Sequence, residues 1–323
     1  MIFECRSNAW STDCCQTHQG LDRKVNGEND MEVGLAIPQM ARGLDRERVI
    51  GWCVAADKGP FSSISAGERI TFRNLEGITL CAAAAVATER VRVMTNVIVL
   101  PWHEPALIAK ELATIDVMSS GRLDVAVGVG GRWQDYASLN SPFENRHQRL
   151  DDAVVELKRL WSGGAAADGE SVGPEPVQIG GPRFFGSAMG PKSMARVARW
   201  AHGVSGFTLM ADVDEAKRQF SAAESAWSAA GRTDKPRHVT GTFVSLGKDS
   251  RDVLRQFAYE YLEVFSPDFA RQLSESMRIH EKLALRDLLV EMKEVGCDEF
   301  VVVPATSDPA MADEVAEVVA EVA

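Results

Sequence analysis

The chain has 323 residues, 45% hydrophobic and 25% charged, an ordinary globular composition with room for one large α/β barrel or two domains. A net charge of -11 argues against a nucleic-acid or anionic-membrane surface, short of a local basic patch. No run reaches the roughly 20 apolar residues of a membrane span, and the start MIFECRSNAWSTDCC lacks the apolar core of a secretory signal, so a cytoplasmic location is expected.

Residues 1–30 are polar and aperiodic and read as a disordered extension, with Met31 a suitable natural start. From there strands and helices alternate. Strands are expected at Val33–Ile37, Phe61–Ala66, Val91–Leu100 and Leu123–Val129. Between them, helical spacing covers Asp45–Lys58, with Asp45 a possible N-cap, then Leu75–Thr88 and Glu104–Met118. A long amphipathic helix follows at Glu144–Trp161, with Leu150, Val154, Leu157 and Leu160 inward. Residues 162–182 are rich in glycine, alanine and proline and are a candidate lid. Further strands are expected at Arg183–Ser187, Gly203–Gly206, Arg237–Leu246 and Glu299–Val303. The intervening helices are Pro191–Ala201, Val213–Ala230 and a helical 249–295 interrupted near Pro267, with a last helix at Met311–Val322.

Eight strands alternating with helices, with no hairpin signal, predict a single (β/α)8 TIM-barrel domain over 31–323. An open doubly wound sheet would want a glycine-rich turn after the first strand, and PQMARG is not one. Of six cysteines, Cys53, Cys81 and Cys297 read as buried packing thiols, and the adjacent Cys14 and Cys15 lack zinc-knuckle spacing. A reduced protein fits that usage.

A barrel carries its chemistry on the loops after the strands. After the second strand, Glu68 and Arg69 either bind or protonate a substrate, as catalytic residues, or form a salt bridge that holds the loop. After the third, Asn96 between β-branched residues needs a hydrogen-bond partner, while His103 at a helix start reads as a cap or packing residue. After the fourth, Gly128–Gly131 lets backbone approach a ring or a phosphate. After the fifth, Gly186, Ser187 and Gly190 lead into a helix, as a phosphate cradle or a plain capped turn, with Lys192 just inside. There is no metal-ligand cluster, HExxH or GxSxG, which leaves the hard chemistry to a bound organic cofactor.

The run LPWHEPALIAKELATIDVMSSGRLDVAVGVGGRWQDY, together with GSAMGPKSMARVARWAHGVSGF, resembles the luciferase-like superfamily of flavin- or deazaflavin-dependent oxidoreductases. The resemblance implies a TIM barrel with an insertion near 162–182, here short. It implies FMN or the deazaflavin coenzyme F420 across the barrel mouth, near Thr95, Asn96, Gly128, Val129 and Gly130. It places the phosphate on Gly186, Ser187 and Gly190, and a bulged, sometimes cis, peptide at Asn96–Val97. Many relatives carry histidine where Arg69 stands, and aspartate where His202 stands. The ending GGRWQDY makes Arg132, Trp133, Asp135 and Tyr136 the candidates for substrate contact.

The expected function is monooxygenation or hydride transfer on a small organic substrate. Reduced FMN suits oxygen activation; the deazaflavin, with carbon at position 5, suits hydride transfer. A flavin or F420 reductase is an expected partner, and the resemblance allows a homodimer. The alternatives are a barrel that binds a flavin without turnover, and a cofactor-independent isomerase or lyase acting on a phosphorylated substrate.

Overall fold

The structure, a computed structural model, describes residues 30–166 and 169–322. The disordered extension expected at 1–30, with Cys5, Cys14 and Cys15, lies outside the described residues except for Asp30.

All eight strands form: β1 Glu32–Ala36, β2 Ser63–Ala66, β3 Arg92–Val99, β4 Leu123–Gly128, β5 Arg183–Gly186, β6 Gly203–Ser205, β7 Arg237–Val244 and β8 Glu299–Pro304. They close in sequence order into a parallel barrel, β1 pairing with β8 from Glu32↔Glu299 to Leu35↔Val302. The covering helices are α1 Arg46–Lys58, α2 Gly77–Ala87, α3 Pro105–Met118, α4 Trp133–Ser138, α5 Arg146–Trp161, α6 Pro191–Val197, α7 Val213–Ala229, α8 Ser250–Leu262, α9 Pro267–Glu275, α10 Lys282–Glu294 and α11 Ala310–Val322. Asp45 caps α1 as expected, its carboxylate accepting the Arg48 N–H at 2.9 Å.

Each strand is buried on two faces. In β4, Leu123, Val125 and Val127 belong to the core between sheet and helices. The alternate Asp124, Ala126 and Gly128 are equally buried, and Ala126 joins Ala36, Met94, Phe185, Val239 and Val301 in a separate cluster. At the strand starts, polar side chains plug the barrel. Asp124 accepts from Arg92 Nη2 at 2.7 Å and from Arg183 Nε at 2.8 Å. Glu299 accepts from Ser63 Oγ at 2.5 Å and from Arg237 Nη2 at 3.2 Å. Burial alone would raise the Asp124 carboxyl, but the two guanidinium groups hold it below the usual carboxylate range.

Three expectations need correction. The 162–182 loop is no lid over the mouth, because a helix-to-strand loop returns to the strand starts. Gln178 there donates from its backbone to Asp116 at 3.0 Å and from Nε2 to the Leu123 carbonyl at 2.6 Å. The mouth is instead roofed by α8 and α9, inserted between β7 and β8. Leu254, Phe257, Leu262 and Ala270 from these helices pack with Phe243, Ala41 and Ala305 as a satellite core. Finally, 249–295 forms three helices, and Arg132–Tyr136 runs into the short α4 that the sequence reading missed.

Candidate active site

The strand ends open on a cavity of about 270 Å3. Its lining includes Ala36, Ser65, Val97, Ser205 and Val301, which are small enough to leave room, and Gly241, where a Cβ would lie 2.3 Å from the Val301 carbonyl. One wall is aromatic: the Phe243 ring meets Phe207 at 4.8 Å, Phe257 at 5.0 Å and Tyr261 at 5.1 Å. Among the described residues, two polar atoms of the lining are buried without a partner, Ser65 Oγ and Gln39 Oε1. Gln39 is fixed by its other end, Nε2 donating to the Gly67 carbonyl at 2.5 Å. The arrangement is a largely apolar cavity with two unsatisfied polar atoms, the usual make-up of a small-molecule site.

Strand β3 breaks register between Thr95 and Ile98, and its Asn96–Val97 peptide is cis, as the resemblance implied. The bulge turns Asn96 into the cavity, where Oδ1 accepts the Ser205 hydroxyl at 2.7 Å. Thr95 is fully buried and donates to the Ala126 carbonyl at 3.1 Å. Gly67 crosses the bulge so closely that a Cβ would lie 2.6 Å from the Asn96 carbonyl oxygen.

The Glu68–Arg69 salt bridge is absent, because the two side chains diverge. Glu68 turns toward β3. Its Oε2 accepts the Val99 N–H at 2.6 Å, and its Oε1 lies 2.8 Å from His103 Nε2. Trp102 Nε1 also stands 3.0 Å from that nitrogen. With its side chain 2% exposed, Glu68 lines both the cavity and a groove between α2 and α3. The imidazole beside Glu68 thus comes from the β3–α3 turn and not from the neighbouring position 69. Arg69 swings under Phe72, 3.9 Å from its centroid, and donates to the Tyr261 carbonyl at 3.1 Å. Burial first, and the Arg132 charge second, push its guanidinium down to about 10.

The four residues expected to touch substrate take different places. Arg132 Nε donates to Asp135 at 3.1 Å and its Nη2 to Thr71 Oγ1 at 2.7 Å. Buried Asp135 also accepts the Thr71 backbone N–H at 2.7 Å, tying the β2–α2 and β4–α4 loops together. The Tyr136 hydroxyl donates to the Val129 carbonyl at 2.6 Å, and its ring packs edge-on to Trp102 and Phe143. Trp133 is 62% exposed. Gly130, at φ +60, turns the chain out of β4 toward them.

Of the expected phosphate turn, Ser187 lines the cavity, its N–H bonded to the Val127 carbonyl at 2.8 Å. Gly128 abuts it; a Cβ there would lie 3.4 Å from Ser187 Cβ. Gly186 serves packing instead, since a Cβ would stand 2.4 Å from the Val197 methyls. Gly190 N–H donates to Ser193 Oγ at 3.2 Å, beside a shallow depression that Lys192 and Arg196 also line. Sequence reasoning missed Gln39, Ser65, Ser205, Phe207 and Tyr261. Gln39 and Ser65 stand at strand ends whose other residues drew the reading, Ser205 and Phe207 at the end of β6, which drew none, and Tyr261 comes from a helix and left no local signal.

The luciferase-like monooxygenase family model matches residues 30–321. An uncharacterised protein of Mycobacterium tuberculosis is 31% identical over 175 residues, 52% of this chain and 61% of its own length. The FMNH2-dependent dimethylsulfone monooxygenase of Pseudomonas putida is 30% identical over 163 residues, 46% of this chain and 45% of its own. Both matches span less than two thirds of the relative. An F420-dependent secondary alcohol dehydrogenase, solved with an F420–acetone adduct, superposes with a TM-score of 0.75 at 18% identity, over 91% of this chain and 99% of the other. The oxygenating constituent of 3,6-diketocamphane monooxygenase from Pseudomonas putida, solved with FMN, gives 0.69 at 15% identity, over 90% and 98%. At these identities the likeness is one of fold.

Proposed function

Because the chain belongs to the luciferase-like monooxygenase family, we propose that it is an oxidoreductase taking FMN or coenzyme F420 at the barrel mouth and acting on a small organic substrate. The observation that carries the reading is the cavity itself. It has small residues beneath, aromatics on one side, and a Ser65 hydroxyl and Gln39 oxygen that find no partner among the described residues. Buried polar atoms are normally bonded. The edge of a flavin-type ring, with its own N–H and carbonyl groups, is a fitting complement, so the residues present suit the group.

In this reading Ser65, Gln39, Asn96 and Ser187 hold the ring, and the Gly190 turn takes the phosphate. The bound ring supplies oxygen activation if it is reduced FMN, or hydride if it is the deazaflavin. The protein's own part is to orient the substrate against the ring, exclude water with Phe207, Phe243 and Tyr261, and hold a proton at Glu68. Among the described residues Glu68 is the one carboxylate lining the cavity, and His103 keeps it in place. The Pseudomonas putida relative is named for FMNH2, and one from Acinetobacter baylyi is named as an oxygenase component. A separate reductase supplying reduced cofactor is therefore the expected partner here if FMN is used.

The test is a fluorescence titration of the purified chain with FMN and, separately, with F420. Saturable binding of one is expected, and it selects between oxygen-dependent chemistry and hydride transfer. Binding of neither, with turnover of a phosphorylated substrate in the absence of any redox cofactor, would overturn the reading in favour of an isomerase or lyase.

A further inference from the structure

Arg69 is a buried cation without a counter-ion. It is 8% exposed, and no carboxylate oxygen lies within 4.0 Å of it among the described residues. Its Nη1 is spent on the Tyr261 carbonyl, and its Nε is buried and bonded to nothing. Arg132, on the adjoining loop, also has a buried nitrogen without a partner, Nη1. Farther along the same lip, Arg42 and Arg73 share the single carboxylate of Glu260, at 3.0 and 2.5 Å. Four arginines therefore crowd two bonded carboxylates, Glu260 and Asp135, on a chain whose net charge is -11. Ring faces of Phe72 and Tyr261 offset part of the Arg69 charge, but a buried charge with unpartnered N–H groups stays costly unless something completes them. Tyr261, which carries Arg69 against its ring, also lines the cavity, so the lip and the cavity are neighbours.

We propose that this lip is an anion subsite: the buried, unpartnered N–H groups of Arg69 and Arg132 turn to receive the carboxylate of a small organic acid whose other end enters the cavity past Tyr261. The substrate class is thus an organic acid, an assignment that rests on the oxidoreductase reading for what then happens to the acid. Guanidinium groups suit the task, because a planar fork of donors matches a carboxylate.

The test is calorimetric titration of the full chain with benzoate and with its neutral isostere benzamide at low salt, for the unsubstituted protein, R69Q and R132Q. Benzoate is expected to bind at least tenfold more tightly than benzamide, and each substitution is expected to weaken benzoate at least tenfold. Absent benzoate binding, or equal binding by all three proteins, overturns the proposal. Circular dichroism checks the fold; if R69Q does not fold, R132Q and the benzoate–benzamide contrast decide. The same samples are titrated with FMN, riboflavin and F420. Benzoate binding without flavin binding supports the subsite and defeats only the oxidoreductase reading. A loss of FMN but not riboflavin affinity in R69Q assigns the anion to the cofactor phosphate and overturns the substrate assignment.

Discussion

Glu68 and His103 are 35 positions apart in the chain and 2.8 Å apart in the fold. The contact exists because the loop after β2 and the turn after β3 leave neighbouring strands on the same end of the barrel. It sets a carboxylate between the interior cavity and the outer groove, with one oxygen fixed by the Val99 amide and the other by an imidazole.

Glu68→Gln keeps the size and the Val99 hydrogen bond but cannot carry a proton. If Glu68 is the acid–base group, turnover falls about 100-fold or more while cofactor affinity stays within about threefold. His103→Gln, which disturbs only the positioning, costs less, on the order of tenfold. The check is kcat against cofactor Kd for both variants. A parallel loss of affinity would mean that Glu68 shapes the pocket instead.

Gly67→Ala tests how tightly the bulge is built. A methyl group there meets the Asn96 carbonyl at 2.6 Å, and backbone cannot give way as a side-chain tip can. The expected cost is about 1–3 kcal/mol of stability, with Asn96 displaced from the cavity and cofactor binding weakened. Urea unfolding and cofactor titration measure the two effects.

The sequence carried the barrel because every strand is buried on at least its outer face, so each left a short β-branched or apolar run between helical stretches. It did not carry the inner faces. Asp124 and Glu299 sit in apolar strands as polar residues whose partners, Arg92, Arg183 and Arg237, come from other strands. The site was legible where one loop holds it: Asn96 and Ser187 do line the cavity. It was not legible where distant segments meet. Asp135 and Tyr136 look like exposed tips beside glycines, yet Thr71 and the Val129 carbonyl occupy their polar atoms. No local pattern marks 162–182 as belonging to the far end of the barrel; only its position before β5 does.

Asp124→Asn removes the shared acceptor of Arg92 and Arg183. The aspartate is fully buried, but the arginine side chains are 31% and 38% exposed, so solvent screens part of the loss. The expected destabilisation is about 2–3 kcal/mol at pH 7. The folded-state pKa is depressed, so this contribution is fully present above the unfolded value near 4 and is lost as pH falls through the folded value. Denaturant curves for the two proteins should therefore converge in strong acid.

His202 gives a second pH signature, in a milder range. Its Nδ1 accepts the Phe184 N–H at 3.1 Å, which requires an unprotonated nitrogen there. Burial first, then the charges of Lys158 and Arg183, hold the imidazole below its ordinary value. The unfolded chain, near 6.5, takes up the proton sooner than the folded one. Stability is thus fully present above about pH 6.5 and falls as pH drops toward the folded value. His202→Gln removes the titration, so its melting temperature should change less between pH 7.5 and 5.5 than that of the unsubstituted protein. An equal change in both would show that the hydrogen bond to Phe184 does not depend on the neutral ring.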